Sequence, residues 1–169
     1  MMAKPTNTTE RDDFQLGTFF PYKVRVFGTA VSAAVSSVYR ERYGLSVSEW
    51  RTMAILGRNH ALSASEIVER SSMDKVNVSR AVQSLRKKEF LRRDIDGEDR
   101  RKSVLRLTAE GLRIFKDVVP LVRDVETALT ANLSAQEQDV LLALMEKVQH
   151  NAEALVDERG EITKANEPT

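Results

Sequence analysis

The sequence predicts a mainly α-helical protein with one small β-hairpin (α+β), and three observations carry that prediction. Seven glycines, four prolines and 6% aromatic residues in 169 favour long regular helices over a turn-rich β fold. A serine followed three residues later by a glutamate occurs at Ser46/Glu49, Ser63/Glu66 and Ser134/Glu137, each time ahead of apolar residues at helical spacing. In that pattern the serine hydroxyl and the acid satisfy each other's free backbone N–H groups, which marks a helix start. Only between 90 and 107 does the apolar period fall to two, as a strand requires.

Taken in order, residues 1–13 are polar and mixed in charge and are expected to form a tail, like residues 159–169. Phe20, Val24, Phe27, Val31, Val35 and Val38 recur at steps of three and four, an apolar stripe on a helix of about six turns, and Pro21 suits its first turn. The three serine–glutamate starts predict helices over 47–58, 64–70 and 135–157. A further helix is expected after Ser72, because Val78, Val82 and Leu85 keep helical spacing to about Lys88. Leu91, Arg93 and Ile95 then alternate with their neighbours, as do Ser103, Leu105 and Leu107, around a turn holding Asp96 and Gly97. The helical period returns through Leu112, Phe115, Val119, Val122, Val125 and Leu129, with Pro120 inside it as an expected kink. Leu141, Leu144, Val148, Ala152 and Leu155 continue it in the last helix.

Composition excludes several functions. Without cysteine there are no disulfides, thiolate metal sites or thiol nucleophiles. His60 and His150 stand far apart and lack metal-ligand spacing, and no phosphate-binding glycine loop is present. No enzyme activity, cofactor or metal is therefore expected. No stretch is apolar enough for a membrane span or signal peptide, so a soluble cytoplasmic protein is expected, with no membrane partner. The net charge of +1 hides a division: eleven bases face five acids between Lys75 and Arg106, against 15 bases and 20 acids elsewhere. Clustered positive charge on an otherwise acidic chain suits a polyanion, because neutralising phosphates releases counterions.

Two short helices, the second one basic, followed by a charged hairpin make the order of a winged helix-turn-helix, whose second helix enters the major groove. Opposite the stripe Val78, Val82 and Leu85 lie Lys75, Asn77, Ser79, Arg80, Gln83 and Lys87. Asn and Gln suit adenine edges, Arg guanine or phosphate, Ser either, and Lys phosphate.

The run MDKVNVSRAVQSLRKKEFL followed by DGEDRRKSVLRLTAEG resembles the MarR (multiple antibiotic resistance regulator) family of winged-helix transcription regulators. The wing signature matches at Asp99, Arg100 and Arg101, then Leu107, Thr108 and Gly111; the resemblance extends over 14–157. It implies a homodimer that binds a pseudo-palindromic operator, with an N-terminal dimerisation helix (14–45), a winged domain (46–108) and C-terminal dimerisation helices (109–158). It further implies a repressor whose recognition helix spans 73–88 and whose wing spans 90–107. Carried over by position, Asn77, Ser79 and Arg80 contact bases, with Lys75 close to the backbone at the helix start. Arg101 enters the minor groove, held by Asp99, while Arg100 and Lys102 meet phosphates. The family commonly ends its recognition helix with glycine; Glu89 stands there, and a positive φ would cost on the order of 1 kcal/mol. Family analogy also implies release by a small aromatic or phenolic carboxylate near Tyr39, Arg42, Tyr43, Trp50, Arg51 and Met53. The rival reading is a helical interaction protein, an antirepressor or scaffold, whose basic face meets an acidic protein.

Overall fold

The computed structural model describes residues 14–59, 61–95 and 103–165. The expected N-terminal tail, His60, the turn residues Asp96 and Gly97, and the wing residues Asp99, Arg100, Arg101 and Lys102 lie outside the described residues. Among the described residues, the order is α1 (Phe20–Tyr43), α2 (Val47–Asn59), α3 (Ala64–Arg70), α4 (Lys75–Lys87), β1 (Leu91–Ile95), β2 (Ser103–Leu107), α5 (Ala109–Thr130) and α6 (Ala135–Ala165). The chain divides into two units at Arg123/Asp124.

All three serine–glutamate starts form reciprocal caps. Glu49 N–H donates to Ser46 Oγ at 3.2 Å while Ser46 N–H donates to Glu49 Oε2 at 2.7 Å. The corresponding pairs are 3.2 and 2.8 Å at Ser63/Glu66 and 3.3 and 2.8 Å at Ser134/Glu137. α1 carries Pro21 in its first turn and closes at Gly44, whose φ of 60° suits a residue without Cβ. Two expected boundaries move. α4 starts not after Ser72 but after Asp74, whose carboxylate accepts from Asn77 N–H, a better use of the N-cap position than the Ser72 hydroxyl, which accepts from Arg51. α6 runs past 157 to Ala165, so the expected tail from 159 begins inside it; that segment holds helix formers, and the next proline is Pro168. α5 runs through Pro120 without interruption.

The core of the first unit gathers residues from every layer: Tyr39, Met53, Leu56, Ile67, Val78, Leu85, Leu105 and Val118 are essentially inaccessible. Each such aliphatic side chain contributes roughly 1.5–3 kcal/mol through burial. α4 buries Val78, Ala81, Val82 and Leu85 on one face. The hairpin is antiparallel, pairing Leu91 with Leu107, Arg93 with Leu105 and Ile95 with Ser103, which places the alternating sets opposite each other as expected; Val104 is buried as well. Leu62 and Leu105 exchange backbone hydrogen bonds of 3.2 and 2.7 Å, which ties β2 to the segment between α2 and α3.

The apolar stripe of α1 is divided. Val35 and Val38 pack against the core, whereas Phe20, Val24 and Phe27 remain about half exposed. Within the second unit, α6 carries exposed Leu141, Leu144, Val148 and Leu155, the residues of the expected stripe, together with Val140, Leu142 and Met145. No helix among the described residues is long and apolar enough to cross a membrane.

Candidate nucleic-acid interface

α4 presents its polar face because its other face is held in the core. Lys75, Asn77, Ser79, Arg80, Gln83 and Lys87 are all exposed, so the six predicted contacts of this helix share its open side. Asp74 accepts from the Asn77 backbone N–H through Oδ1 and from Asn77 Nδ2 through Oδ2, both at 2.8 Å. The Asn77 backbone N–H, with the Asn77 side chain and the Val76 backbone, holds the Asp74 carboxyl below the usual carboxylate range despite some loss of hydration.

The C-terminal end of α4 is anchored. Lys88 Nζ donates to Gly44 O at 2.8 Å and to Glu49 Oε1 at 2.6 Å. Burial by itself raises the pKa of Glu49, which is 4% exposed, but hydrogen bonds from Lys88, the Ser46 backbone and Ser84 outweigh it and leave the pKa lowered. Glu89 then takes a φ of 60°, the left-handed conformation that a glycine adopts without strain. Its carbonyl accepts from Thr108 Oγ1 at 2.7 Å, and Thr108 Oγ1 in turn accepts from Gly111 N–H at 3.0 Å, capping α5. A Cβ on Gly111 would stand 2.0 Å from Phe90 O. The Leu107, Thr108 and Gly111 signature thus ties the residue that follows α4, the root of the hairpin and the start of α5 together.

At that root Arg92 faces Arg106 across the strands, a like-charge pairing that is unfavourable by itself. Asp94 lies 3.1 Å from Arg92 Nε and 3.5 Å from Arg106 Nε and offsets it. A groove of about 500 Å³ between α3, α4 and β1 is lined by Ser65, Glu69, Lys75, Ser79, Gln83, Arg86 and Arg93, among others. Arg86 and Arg93 contributed to the charge count but were not predicted as site residues; only the packing of β1 beside α4 places them there. Val76 was also missed. It is 57% exposed beside Asn77, and an apolar side chain there suits a thymine methyl group; its exposure was readable from the helical period.

The residues expected around an effector divide. Tyr39 stacks on Trp50 (centroids 5.6 Å, 28°) and Trp50 on Phe115 (5.9 Å, 24°), so the structure adds Phe115 to that group. Tyr39 and Met53 are core residues, and burial raises the Tyr39 pKa against the opposing charges of Arg51 and Arg40. Arg42 lies over the Tyr43 ring at 5.6 Å, Tyr43 donates to Asp117 Oδ2 at 3.4 Å, and Arg51 donates to Ser72 Oγ at 3.4 Å. His150 is exposed.

Residues 43–102 match the model of the MarR family. An uncharacterised HTH-type transcriptional regulator of Bacillus subtilis (strain 168), YwaE, is 31% identical over 109 residues, which span 64% of this chain and 64% of the relative's own length. Two solved structures share the fold. A MarR/EmrR family transcriptional regulator from Acinetobacter sp. ADP1 superposes with a TM-score of 0.75 at 21% identity, covering 83% of this chain and 99% of the other. Bordetella bronchiseptica BpsR, whose DNA binding is regulated by 6-hydroxynicotinic acid, gives 0.72 at 18% identity over 80% and 96%.

Proposed function

We propose that the chain, whose residues 43–102 match the model of the MarR family, is a homodimeric DNA-binding transcription regulator acting as a repressor at a pseudo-palindromic operator. The observation that carries this reading is α4: one face locked in the core, the other presenting six exposed side chains of base- and phosphate-contacting type. In this reading Asn77, Ser79, Arg80 and Gln83 meet base edges in the major groove, and Lys75 and Lys87 meet phosphates. In the same reading minor-groove recognition falls to Arg101, with Asp99 as its partner, and phosphate contacts to Arg100 and Lys102.

Dimerisation through the helices at either end is supported by exposed apolar residues on α1 and, separately, on α6, because faces of that size are costly to leave in water. A two-fold dimer sets its half-sites about one helical turn (~34 Å) apart. The regulation of BpsR by 6-hydroxynicotinic acid supports release by a small aromatic carboxylate. Such an effector would engage Trp50 with the nearby Tyr39 and Met53, or the Arg42, Tyr43 and Arg51 side chains.

Duplex binding measured across a salt series tests the reading. Affinity is expected to fall linearly on logarithmic axes with a slope of about −0.9 for each phosphate neutralised. Arg101→Ala is expected to weaken operator binding on the order of tenfold, as loss of a charge-assisted contact does, with the dimer still folded. A folded dimer that binds no duplex at low salt would instead favour the interaction-protein reading.

A further inference from the structure

We infer that Asp74 determines base preference by fixing which way round the Asn77 carboxamide faces, so that Asn77 reads adenine; this rests on α4 being the DNA-reading helix. An N-cap needs one bond from its side chain to the backbone N–H at the third helical position, and Asp74 Oδ1 makes it at 2.8 Å to Asn77 N. The second bond, from Asn77 Nδ2 to Asp74 Oδ2 at 2.8 Å, adds nothing that the helix start requires. Both residues are exposed, so water would satisfy either group without it.

The second bond orients the amide. The two ends of an asparagine carboxamide are nearly alike in shape but opposite in hydrogen bonding. An ionised carboxylate only accepts, so the NH2 end must face Asp74 and Oδ1 must face away. Asn77 is left with one N–H and a carbonyl oxygen to which, among the described residues, no other group is bonded. That donor–acceptor pair complements N7 and the N6 amino group of adenine. It does not complement guanine, whose N7 and O6 are both acceptors. A freely turning asparagine could instead aim its NH2 group at the base and donate to guanine N7 or O6. The orientation has a cost: a carboxylate on the DNA-facing end of α4 repels phosphates and weakens binding to any sequence. Asp74 therefore exchanges non-specific affinity for discrimination.

This opposition of sign makes the test. Asp74→Ser and Asp74→Asn both retain a good N-cap, but serine releases the amide and asparagine can present an NH2 group to it. Sequences bound by the full-length wild-type protein are recovered from a randomised duplex pool. Kd is then measured at one salt concentration for the recovered duplex, for single A·T to G·C replacements in it, and for a scrambled duplex. At one A·T position the replacement is expected to cost the wild type on the order of tenfold and both variants less than about threefold, while scrambled-duplex affinity rises in both. Asn77→Ala is expected to lose discrimination at the same position, and adding Asp74→Ser to it to lose none further. Wild-type discrimination retained in both variants, or a uniform loss on operator and scrambled duplex alike, would reduce Asp74 to a helix cap and overturn the inference. A wild type that recovers no sequence would overturn it together with the reading of α4, which separates the two failures.

Discussion

Lys88→Met tests how the end of the recognition helix is held. Methionine keeps most of the apolar stem but removes the ammonium that donates to Glu49 Oε1 at 2.6 Å and to Gly44 O at 2.8 Å. The side chains are 31% and 5% exposed, so a nearly buried carboxylate loses its cation. Breaking a fully buried pair costs about 3–5 kcal/mol. Here Glu49 keeps the Ser46 backbone N–H at 2.7 Å and water reaches one side of Lys88, so about 2–3 kcal/mol is expected at pH 7. The pH dependence follows from the lowered folded-state pKa of Glu49. A carboxylate whose pKa is depressed on folding contributes stability above its unfolded value, about 4.3, and loses it as pH falls through the folded value. In Lys88→Met burial is opposed by fewer hydrogen bonds, the folded pKa rises, and that acid-labile contribution shrinks or reverses. Urea denaturation of both proteins at pH 7 and pH 4, at one protein concentration, measures this. A difference below about 0.5 kcal/mol at pH 7, or the same loss on acidification in both proteins, would refute the anchoring role.

Two further substitutions probe the same junction. Glu89→Gly is expected to raise stability by about 0.5–1 kcal/mol, the relief of a left-handed backbone at φ 60° less the added freedom of glycine in the unfolded chain; a lower urea midpoint would contradict it. Gly111→Ala is expected to cost at least about 3 kcal/mol, because its Cβ would meet Phe90 O at 2.0 Å and a backbone carbonyl cannot rotate aside as a side chain can. Unchanged thermal unfolding would show that α5 shifts freely at its start.

The local rules succeeded where neighbours in sequence are also the physical partners. The three serine–glutamate caps form as predicted because each bond spans three residues. The exposed row from Lys75 to Lys87 follows from the helical period alone, since burying Val78, Val82 and Leu85 leaves only one side open. Even Glu89 was legible as a strained position, because the family that the sequence resembles commonly places a glycine there. The start of α4 was misplaced by two residues because Ser72 and Asp74 are both competent caps; in the fold Asp74 takes the Asn77 N–H while Ser72 accepts from Arg51 of α2.

The sequence by itself determined the order of helices and hairpin, the polar face of the recognition helix and the concentration of positive charge, all consequences of periodicity and composition. Only the tertiary structure decided that Lys88 grips Glu49 across 39 residues and that Arg86 and Arg93 line one groove with α4. It likewise decided that Phe115 completes the stack on Tyr39 and Trp50. Such contacts join side chains far apart in the chain, and their partners are chosen by how the helices pack rather than by any spacing along it.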